Sequence, residues 1–548
     1  MNRVVRRSLR VIITLGVAVG ALFGAERWLE NVLQRKSVEA LTDLSGPQSR
    51  VTIGSVELHV LSGDLRWSQV RIEQDQDSVF TDGDDHPFHL TGTTDEVTVE
   101  GLSVLRLLFA HSLRSRSLRV AGPHLDLFLR ADTLQQTDRE RSNSGIEALR
   151  LEEVQVSDGV FRVFREGHKG PLGSIEAFDA KATDLSTGSF NSPSNTLRIG
   201  SLAGEVSGIK ANLSPLYDLA IGCAAFAQEG EVLQFSDAAI KPLKGPLEYQ
   251  TVAHFESDLI AAHLDTLALE GLDLNALLAE QELRASRVLA AGVTCDIHRD
   301  KTMPDKPKAY MPLPLKVLQR LPFDVCVDTV RMDRWTVQYH EKGDLSPDYG
   351  DLLFTEVSGT LAGLCTKDTS ATSEVVLLAH ARAYGQAAVD AELRSRMGDH
   401  NDRFTLNATI GAMPLDVFNR MTTDLTQMKA VKGRIAGLHY ALTANDDRAS
   451  GRVDMEYLGL EISALKHDGS GDKDKFKSTV LNELVRSENL RSNGNFRHGD
   501  FAFDREKDRS IFKYVWTGLR EGVMAGMLPG ALDDLRKSSQ HLKSNKTK

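Results

Sequence analysis

Apolar and polar residues alternate in the sequence Phe323-Asp-Val-Cys-Val-Asp-Thr-Val-Arg-Met-Asp-Arg-Trp-Thr-Val-Gln-Tyr339. A period of two predicts a β-strand with one apolar and one polar face. A parallel sequence occurs earlier, Leu151-Glu-Glu-Val-Gln-Val-Ser-Asp-Gly-Val-Phe-Arg-Val-Phe164, and we interpret each copy as a strand, a turn and a second strand. A further strand follows each copy, at 175–182 and at 352–361. The repeat predicts an elongated sheet built by adding strands, and hairpin duplication inside an ordinary sandwich is the alternative.

The same alternation continues along most of the chain. Further predicted strands are 51–53, 56–60, 125–130, 289–297, 404–410 and 453–457. Such alternation is typical of an antiparallel sheet with one covered face. The predicted helices are few: Gly101–Ser112, Leu272–Ser286, Pro414–Thr426 and Lys475–Ser487. The predicted fold class is therefore mainly β, an elongated antiparallel sheet with a few short helices.

The composition argues against two classes of protein. The 548 residues carry a net charge of −11, which argues against a nucleic-acid partner because phosphate binding needs a basic face. With 41% hydrophobic and 26% charged residues, the chain does not have the composition of a polytopic membrane protein.

The cysteines Cys223, Cys295, Cys326 and Cys365 are widely spaced and form no C-x-x-C pair, so metal ligation by cysteine is disfavoured. We favour small buried side chains. One disulfide of open connectivity in an oxidising compartment is the alternative.

An apolar run follows a basic N-terminus. Four arginines within residues 1–10 precede the charge-free run Val11–Ala25. We predict a cytoplasmic N-terminus at 1–10, a transmembrane helix with its extension at 11–33, and export of the remainder. A cleaved signal peptide is the alternative. The predicted membrane anchor consists of Val11, Ile12, Ile13, Leu15, Val17, Val19, Leu22 and Phe23.

We divide the exported part into an N-terminal β region at 51–300, a C-terminal β region at 301–466, and a helical cap with a polar tail at 467–548. The cap contains a predicted amphipathic helix, Ile511–Leu528, which ends at Pro529-Gly530. Its apolar stripe consists of Phe512, Val515, Trp516, Leu519, Val523 and Met527. This stripe either covers the β core or lies against a membrane surface or a partner.

Motifs that carry catalysis are absent from the sequence. No P-loop, H-E-x-x-H, G-x-S-x-G or glycine-rich dinucleotide loop occurs. His254, Asp258 and His263 have a spacing that fits neither one helical face nor one strand face, so we predict no metal site. We predict a protein that is not an enzyme and has no cofactor. An exported hydrolase with an active site of scattered carboxylates is the least favoured alternative.

Several short motifs occur in a fixed order after the N-terminal anchor. They are Val51–Leu58 with Ser62–Trp67, then Ser117–Leu127, Pro322–Glu341, Val431–Ile435 and Ser510–Trp516. Together these motifs resemble the AsmA-like family of bacterial inner-membrane proteins, and the resemblance covers nearly the whole chain. It implies a curved antiparallel sheet, folded like a taco, with an apolar trough along its length. It also implies a link to bridge-like lipid transfer proteins and to phospholipid movement between the inner and outer membranes.

From the alternation and this resemblance we predict that apolar strand residues line a lipid groove. The groove candidates are Val325, Val327, Trp335, Val337, Tyr339, Phe404, Leu406 and Ile410. The predicted protein is anchored in the bacterial inner membrane, lies mainly in the periplasm, and binds or conducts phospholipid through its acyl chains. It would thereby support outer-membrane homeostasis. A structural or assembly factor that contacts an outer-membrane or envelope protein is the alternative.

Overall fold

The structure is a computed structural model whose described residues form 22 β-strands in one large, mostly antiparallel sheet with a few short helices. It describes residues 30–35, 37–38, 41–42, 49–59, 62–73, 88–102, 112–130, 148–187, 197–227, 231–343, 348–368, 370, 373–466 and 473–528. The mainly β fold class is therefore confirmed. The predicted anchor at 11–23 lies outside these residues. Within them, no helix has both the length and the apolar character needed to cross a bilayer.

Two compact units divide the chain, and unit 1 comprises Met1–Ser214, Leu219–Phe235 and Leu274–Glu280. Its strands are β1 (Arg50–His59), β2 (Asp64–Glu73), β3 (Phe88–Glu100), β4 (Ser112–Ala121), β5 (His124–Leu129), β6 (Ala148–Arg165), β7 (Gly173–Thr187), β8 (Leu197–Arg198) and β9 (Ser201–Ser214). β1, β2 and β3 pair antiparallel in order, and β3 also pairs antiparallel with β4 and β5. β4 and β5 each run parallel to β6, after which β6, β7 and β9 pair antiparallel. The short β8 pairs with β7.

Unit 2 comprises Pro215–Asp218, Ser236–Asp273 and Gln281–Lys548, so that β10 (Tyr217–Ala227) and β11 (Val232–Pro242) contribute residues to both units. Its own strands are β12 (Asp258–Glu270), β13 (Glu282–Asp300), β14 (Asp324–Lys342), β15 (Tyr349–Cys365), β16 (Val375–Ala383), β17 (Ala387–Ser395), β18 (Phe404–Ile410), β19 (Met413–Pro414), β20 (Met428–Ala444), β21 (Arg448–Ala464) and β22 (Gly499–Asp504). β13 and β14 run parallel. The other pairs of neighbouring strands from β12 to β22 are antiparallel, with β20 pairing with both β18 and β19.

The helices of the described residues are short. They are α1 (Pro246–Val252), a π-helix (Ala276–Glu280), α2 (Pro314–Leu318), a 3-10 turn (Leu415–Phe418), α3 (Asn419–Thr426), α4 (Lys475–Leu484), a second 3-10 turn (Arg491–Asn493) and α5 (Ile511–Met527). In addition, residues 30–35 are helical.

The predicted helices at 414–426, 475–487 and 511–528 are confirmed by the 3-10 turn with α3, by α4 and by α5. The helix predicted at 272–286 is wrong in its second half, because β13 begins at Glu282 and pairs there with β14. Of the helix predicted at 101–112, residues 103–111 lie outside the described residues, and Ser112 begins β4.

The turn predicted inside each copy of the repeat is wrong, because β6 and β14 are each one long strand. A β-bulge stands where each turn was predicted. Asp158 and Arg334 have φ values of 53° and 54°, and the pairing registers of β6 and β14 shift around them. A bulge adds one residue to a strand, so the alternation changes phase and apolar residues on both sides of it can keep to one face. The strands predicted after each copy are confirmed as parts of β7 and β15, and each copy follows a parallel neighbour and precedes an antiparallel one.

Two of the four cysteines form a disulfide. Cys326 of β14 is bonded to Cys365 of β15, whereas Cys223 and Cys295 are free thiols. The favoured interpretation of small buried side chains is therefore wrong for the bonded pair, and the alternative of one disulfide is confirmed. Cys223 and Cys295 are half-buried.

Candidate functional site

The two faces of β5 and β6 in unit 1 differ in polarity. The rings of Phe128 and Phe164 stack with centroids 5.0 Å apart, and Arg162 pairs with Asp126 at 2.7 Å, so these side chains share one face. Successive side chains along a strand point to opposite faces. The intervening residues therefore lie on the other face: Leu125, Leu127, Phe161 and Val163.

This second face continues across β7 and β9. The ring of Phe178 lies over Gly159, where an added Cβ would come within 2.3 Å of it, so a larger residue at this position would displace the ring. Val206 of β9 is the register partner of Phe178 on its other side. We define the unit 1 apolar face as Val120, Leu125, Leu127, Val154, Val156, Phe161, Val163, Ile175, Phe178, Ala180, Ala182, Leu202 and Val206.

The unit 1 apolar face is only partly shielded from solvent. All of its side chains except Ala182 are half-buried, and none carries a charge or a hydrogen-bonding group. Within the described part of unit 1, the π-helix contacts the short β8, and no helix packs extensively against β4 to β7 or β9. The ion pairs of these strands, such as Lys181–Glu153 and Lys210–Glu176, lie on the opposite face by the same alternation. Among the described residues, the arrangement is a charge-free apolar surface that protein covers only in part.

In unit 2, helix α2 covers the first groove candidates. Val325 and Val327 are buried in a cluster with Leu364 and Val375. Leu315 and Leu318 of α2 pack against that cluster. Val325 and Val327 are therefore core residues at a sheet–helix interface and do not line an open groove.

Helix α5 covers the next candidates. Phe404 and Leu406 are buried in the largest apolar cluster of the described residues, which also contains Tyr514 of α5. Four residues of the predicted stripe pack against this cluster: Val515, Leu519, Val523 and Met527. The other two, Phe512 and Trp516, are 83% and 46% exposed. Four residues of the predicted stripe therefore pack on the sheet of unit 2, and the other two face away from it.

The remaining candidates are half-buried. Trp335 donates a hydrogen bond from its indole Nε1 to the carbonyl oxygen of Ala290 at 2.8 Å. Ile410 packs against the apolar cluster that α5 covers. Tyr339 donates from its hydroxyl to Glu341 at 2.6 Å, and burial raises the pKa of this phenol well above its usual range. Val337 is half-buried beside them. The structure thus separates the eight candidates into four that are fully buried and four that keep some exposure.

The histidines and carboxylates that the sequence singled out do not form one site. Asp258 is engaged by the guanidinium of Arg299 through two contacts of 2.6 Å, and His263 pairs with Asp237 at 2.9 Å. A different group converges instead: Asp296, His298 and His340. The strand and groove predictions rest on the apolar positions of Cys295-Asp-Ile-His298 and Val337-Gln-Tyr-His340. The intervening polar positions are the signal that these predictions missed.

No family model matches the chain, and no curated protein matches it significantly.

Proposed function

We propose that this is a lipid-binding protein of the bacterial envelope, with the unit 1 apolar face as the surface that takes up phospholipid acyl chains. Membership of the AsmA-like family that the sequence resembles is part of this proposal. So are an inner-membrane anchor at the N-terminus, a periplasmic location and a role in phospholipid transport that supports the outer membrane. Binding requires no catalytic step, so the proposed protein is not an enzyme.

The observation that carries the proposal is the charge-free and only half-buried character of the unit 1 apolar face among the described residues. An exposed apolar surface of many neighbouring residues is an aggregation hazard unless something covers it. Acyl chains are a suitable cover because each buried CH₂ contributes about 0.8 kcal/mol. The face offers no hydrogen-bonding side chain, so it would bind chains rather than head groups.

The disulfide supports the proposed location. Cys326 and Cys365 are bonded, and disulfides persist mainly in oxidising compartments such as the periplasm. Export of unit 2 past the inner membrane would provide that environment.

Photo-crosslinking tests the proposal. The full chain is reconstituted into vesicles that contain a phospholipid with a diazirine in its acyl chain, illuminated, and mapped by peptide mass spectrometry. We expect adducts on peptides from β5 to β9. Val156→Asp and Phe161→Asp should each lower these adducts at least tenfold, because an unpaired charge against an acyl chain costs more than the 1.4 kcal/mol that corresponds to a factor of ten.

Val160→Asp is the matched control. Val160 is half-buried on the same strand, next to Phe161, but it shares the phase of Arg162 and Phe164 and so lies on the opposite face. This variant should retain the adducts. Equal labelling of all three variants, or labelling confined to the N-terminal segment, would refute lipid binding at this face.

The structural or assembly role remains the second candidate because α4 also presents an exposed apolar stripe. Phe476 is 79% exposed, and Val480 and Leu484 follow it at intervals of four residues on the same side of the helix. A folded protein without lipid adducts on the unit 1 apolar face, and with protein crosslinks at Phe476, would favour this second role.

A further inference from the structure

We propose that Asp296, His298 and His340 bind a divalent first-row transition metal ion, for which Zn²⁺ is the best match to two imidazole nitrogens and one carboxylate oxygen. This site is separate from the proposed acyl-chain surface, and its test does not depend on lipid binding.

The pairing of β13 with β14 brings the three side chains together. The two strands are parallel with His298 opposite His340, and Asp296 lies two residues before His298 and therefore on the same face. Oδ1 of Asp296 is 3.2 Å from Nε2 of His298 and 3.3 Å from Nε2 of His340. Ligand atoms bound tetrahedrally to zinc at about 2.0–2.1 Å are about 3.3 Å apart, so the two distances fit one ion.

The contacts among these atoms are not hydrogen bonds. Oδ1 of Asp296 and Nδ1 of His298 are buried, and neither has a hydrogen-bond partner in the described part of the chain. A buried carboxylate oxygen without a partner is costly, and a cation beside it would remove that cost. The pair His380–Asp390 differs, because its Nδ1 and Oδ1 are hydrogen-bonded at 2.5 Å and both side chains are mainly exposed.

The surroundings leave one side of the site open. The side chain of Asp296 is 50% exposed, which gives solvent or a further ligand access to the ion. Tyr349 forms one wall with its ring edge on to His298, at 5.5 Å between centroids, and its hydroxyl accepts a hydrogen bond from Gln250 of α1 at 3.3 Å. Three protein ligands with an open fourth position are typical of zinc sites that hold a water or a substrate rather than of closed structural sites.

Metal binding at this site requires one of the two imidazole rings to rotate. The imidazoles of His298 and His340 are stacked with centroids 4.4 Å apart and planes at 13°, so their Nε2 lone pairs lie in nearly parallel planes. Rotation of one ring about its Cβ–Cγ bond directs both nitrogens at one ion. The bound geometry is therefore expected to lose the stacking.

Zinc binding by the full chain tests the proposal. Zn²⁺ alone is titrated in competition with a chromophoric chelator, the bound metal is counted after dialysis, and X-ray absorption reports its ligands. We expect one ion per chain with two imidazoles and oxygen ligands at about 2.0–2.1 Å. His298→Gln, His340→Gln and Asp296→Asn should each weaken binding by more than 100-fold, because loss of an outer-shell partner alone costs 10–100-fold.

His380→Gln is the matched control, since it alters a histidine–aspartate pair that contains only one histidine, and it should leave binding unchanged. Circular dichroism and thermal unfolding identify any variant that fails to fold. Asp296→Asn decides the question in that case, because it keeps the size of a half-exposed side chain. No saturable binding by the wild type, or equal binding by Asp296→Asn and the wild type, would overturn the proposal.

Discussion

Replacing Gly522 by alanine tests how closely α5 approaches the sheet of unit 2. An added Cβ at this position would lie 2.4 Å from Cγ2 and 2.8 Å from Cβ of Val453. Val453 is 1% exposed and is held by β20 on one side and β22 on the other, so it cannot yield to the new methyl group. Overpacking of this kind costs about 1–3 kcal/mol, against which alanine gains about 1 kcal/mol over glycine in a helix interior.

Gly526→Ala provides the internal control. It lies one helical turn further along α5, where the nearest atom to an added Cβ is the carbonyl oxygen of Arg497 at 3.8 Å. This variant should keep the helical gain of about 1 kcal/mol without the clash. The two variants should therefore differ by about 1–3 kcal/mol, which corresponds to a 5- to 150-fold difference in an equilibrium constant.

Hydrogen exchange measured by mass spectrometry on peptides from α5 reads this difference directly, because it reports local opening and needs no two-state unfolding of the whole chain. We expect faster exchange in Gly522→Ala and slower exchange in Gly526→Ala, each relative to the wild type. Equal exchange in the two variants would refute the close contact of α5 with Val453. It would also remove the argument that protein covers the groove candidates Phe404 and Leu406.

Three further predictions concern unit 2. Cys326→Ser with Cys365→Ser should lower the free energy of unfolding by up to about 4 kcal/mol, because the bond closes a loop with a sequence separation of 39, and Cys295→Ser should change it much less in the same denaturant titration. Leu406→Ala should cost about 2–5 kcal/mol in urea unfolding since Leu406 is 9% exposed, whereas Val337→Ala should cost less because Val337 is half-buried. Burial raises the pKa of Asp454, but hydrogen bonds from His498 and Arg491 outweigh it and hold the pKa below 3.8. The stability that this carboxylate contributes is therefore present above pH 3.8 and lost as the pH falls through its folded pKa. Asp454→Asn should flatten the acid limb of a pH-dependent unfolding curve, and an unchanged limb would contradict the role of the carboxylate.

Period-two alternation was sufficient to predict the fold class and about half of the strands, because it is a local property of the sequence. The long strands β6 and β14 carry it almost throughout. The bulges at Asp158 and Arg334 were not predicted. Positive φ is uncommon for any non-glycine residue, and although aspartate is enriched there, arginine is not. The parallel pairing of β13 with β14 was also missed, because it depends on which strands meet and not on the pattern within either one.

The groove residues and the Asp296–His298–His340 cluster were predicted less well, because they too depend on which segments of the chain meet. Val325 in β14 and Val154 in β6 belong to similar sequences, yet α2 packs on the cluster that contains Val325, and no described helix packs across the strand that contains Val154. Whether an apolar strand residue is core or half-buried surface is decided by a segment outside the strand itself. Asp296, His298 and His340 were missed because their proximity arises only from the register between two strands.

The contrast between the units is the main argument for the proposed function. Both contain strands that alternate in the same way, and in unit 2 the chain supplies its own cover with α2 and α5. Full burial of a valine, leucine or phenylalanine side chain is worth about 1.5–3 kcal/mol, so leaving the unit 1 apolar face half-buried forgoes a substantial part of the stabilisation available to it. Such a loss of stability is expected if the face binds its ligand reversibly, because a surface that protein buries permanently cannot take up and release a ligand. The face has no charged or hydrogen-bonding side chain, so it cannot select a ligand by its polar groups, whether these belong to a protein or to a lipid head group. A flexible hydrocarbon chain meets these conditions better than a folded protein partner, whose own surface would bring polar groups that this face cannot satisfy.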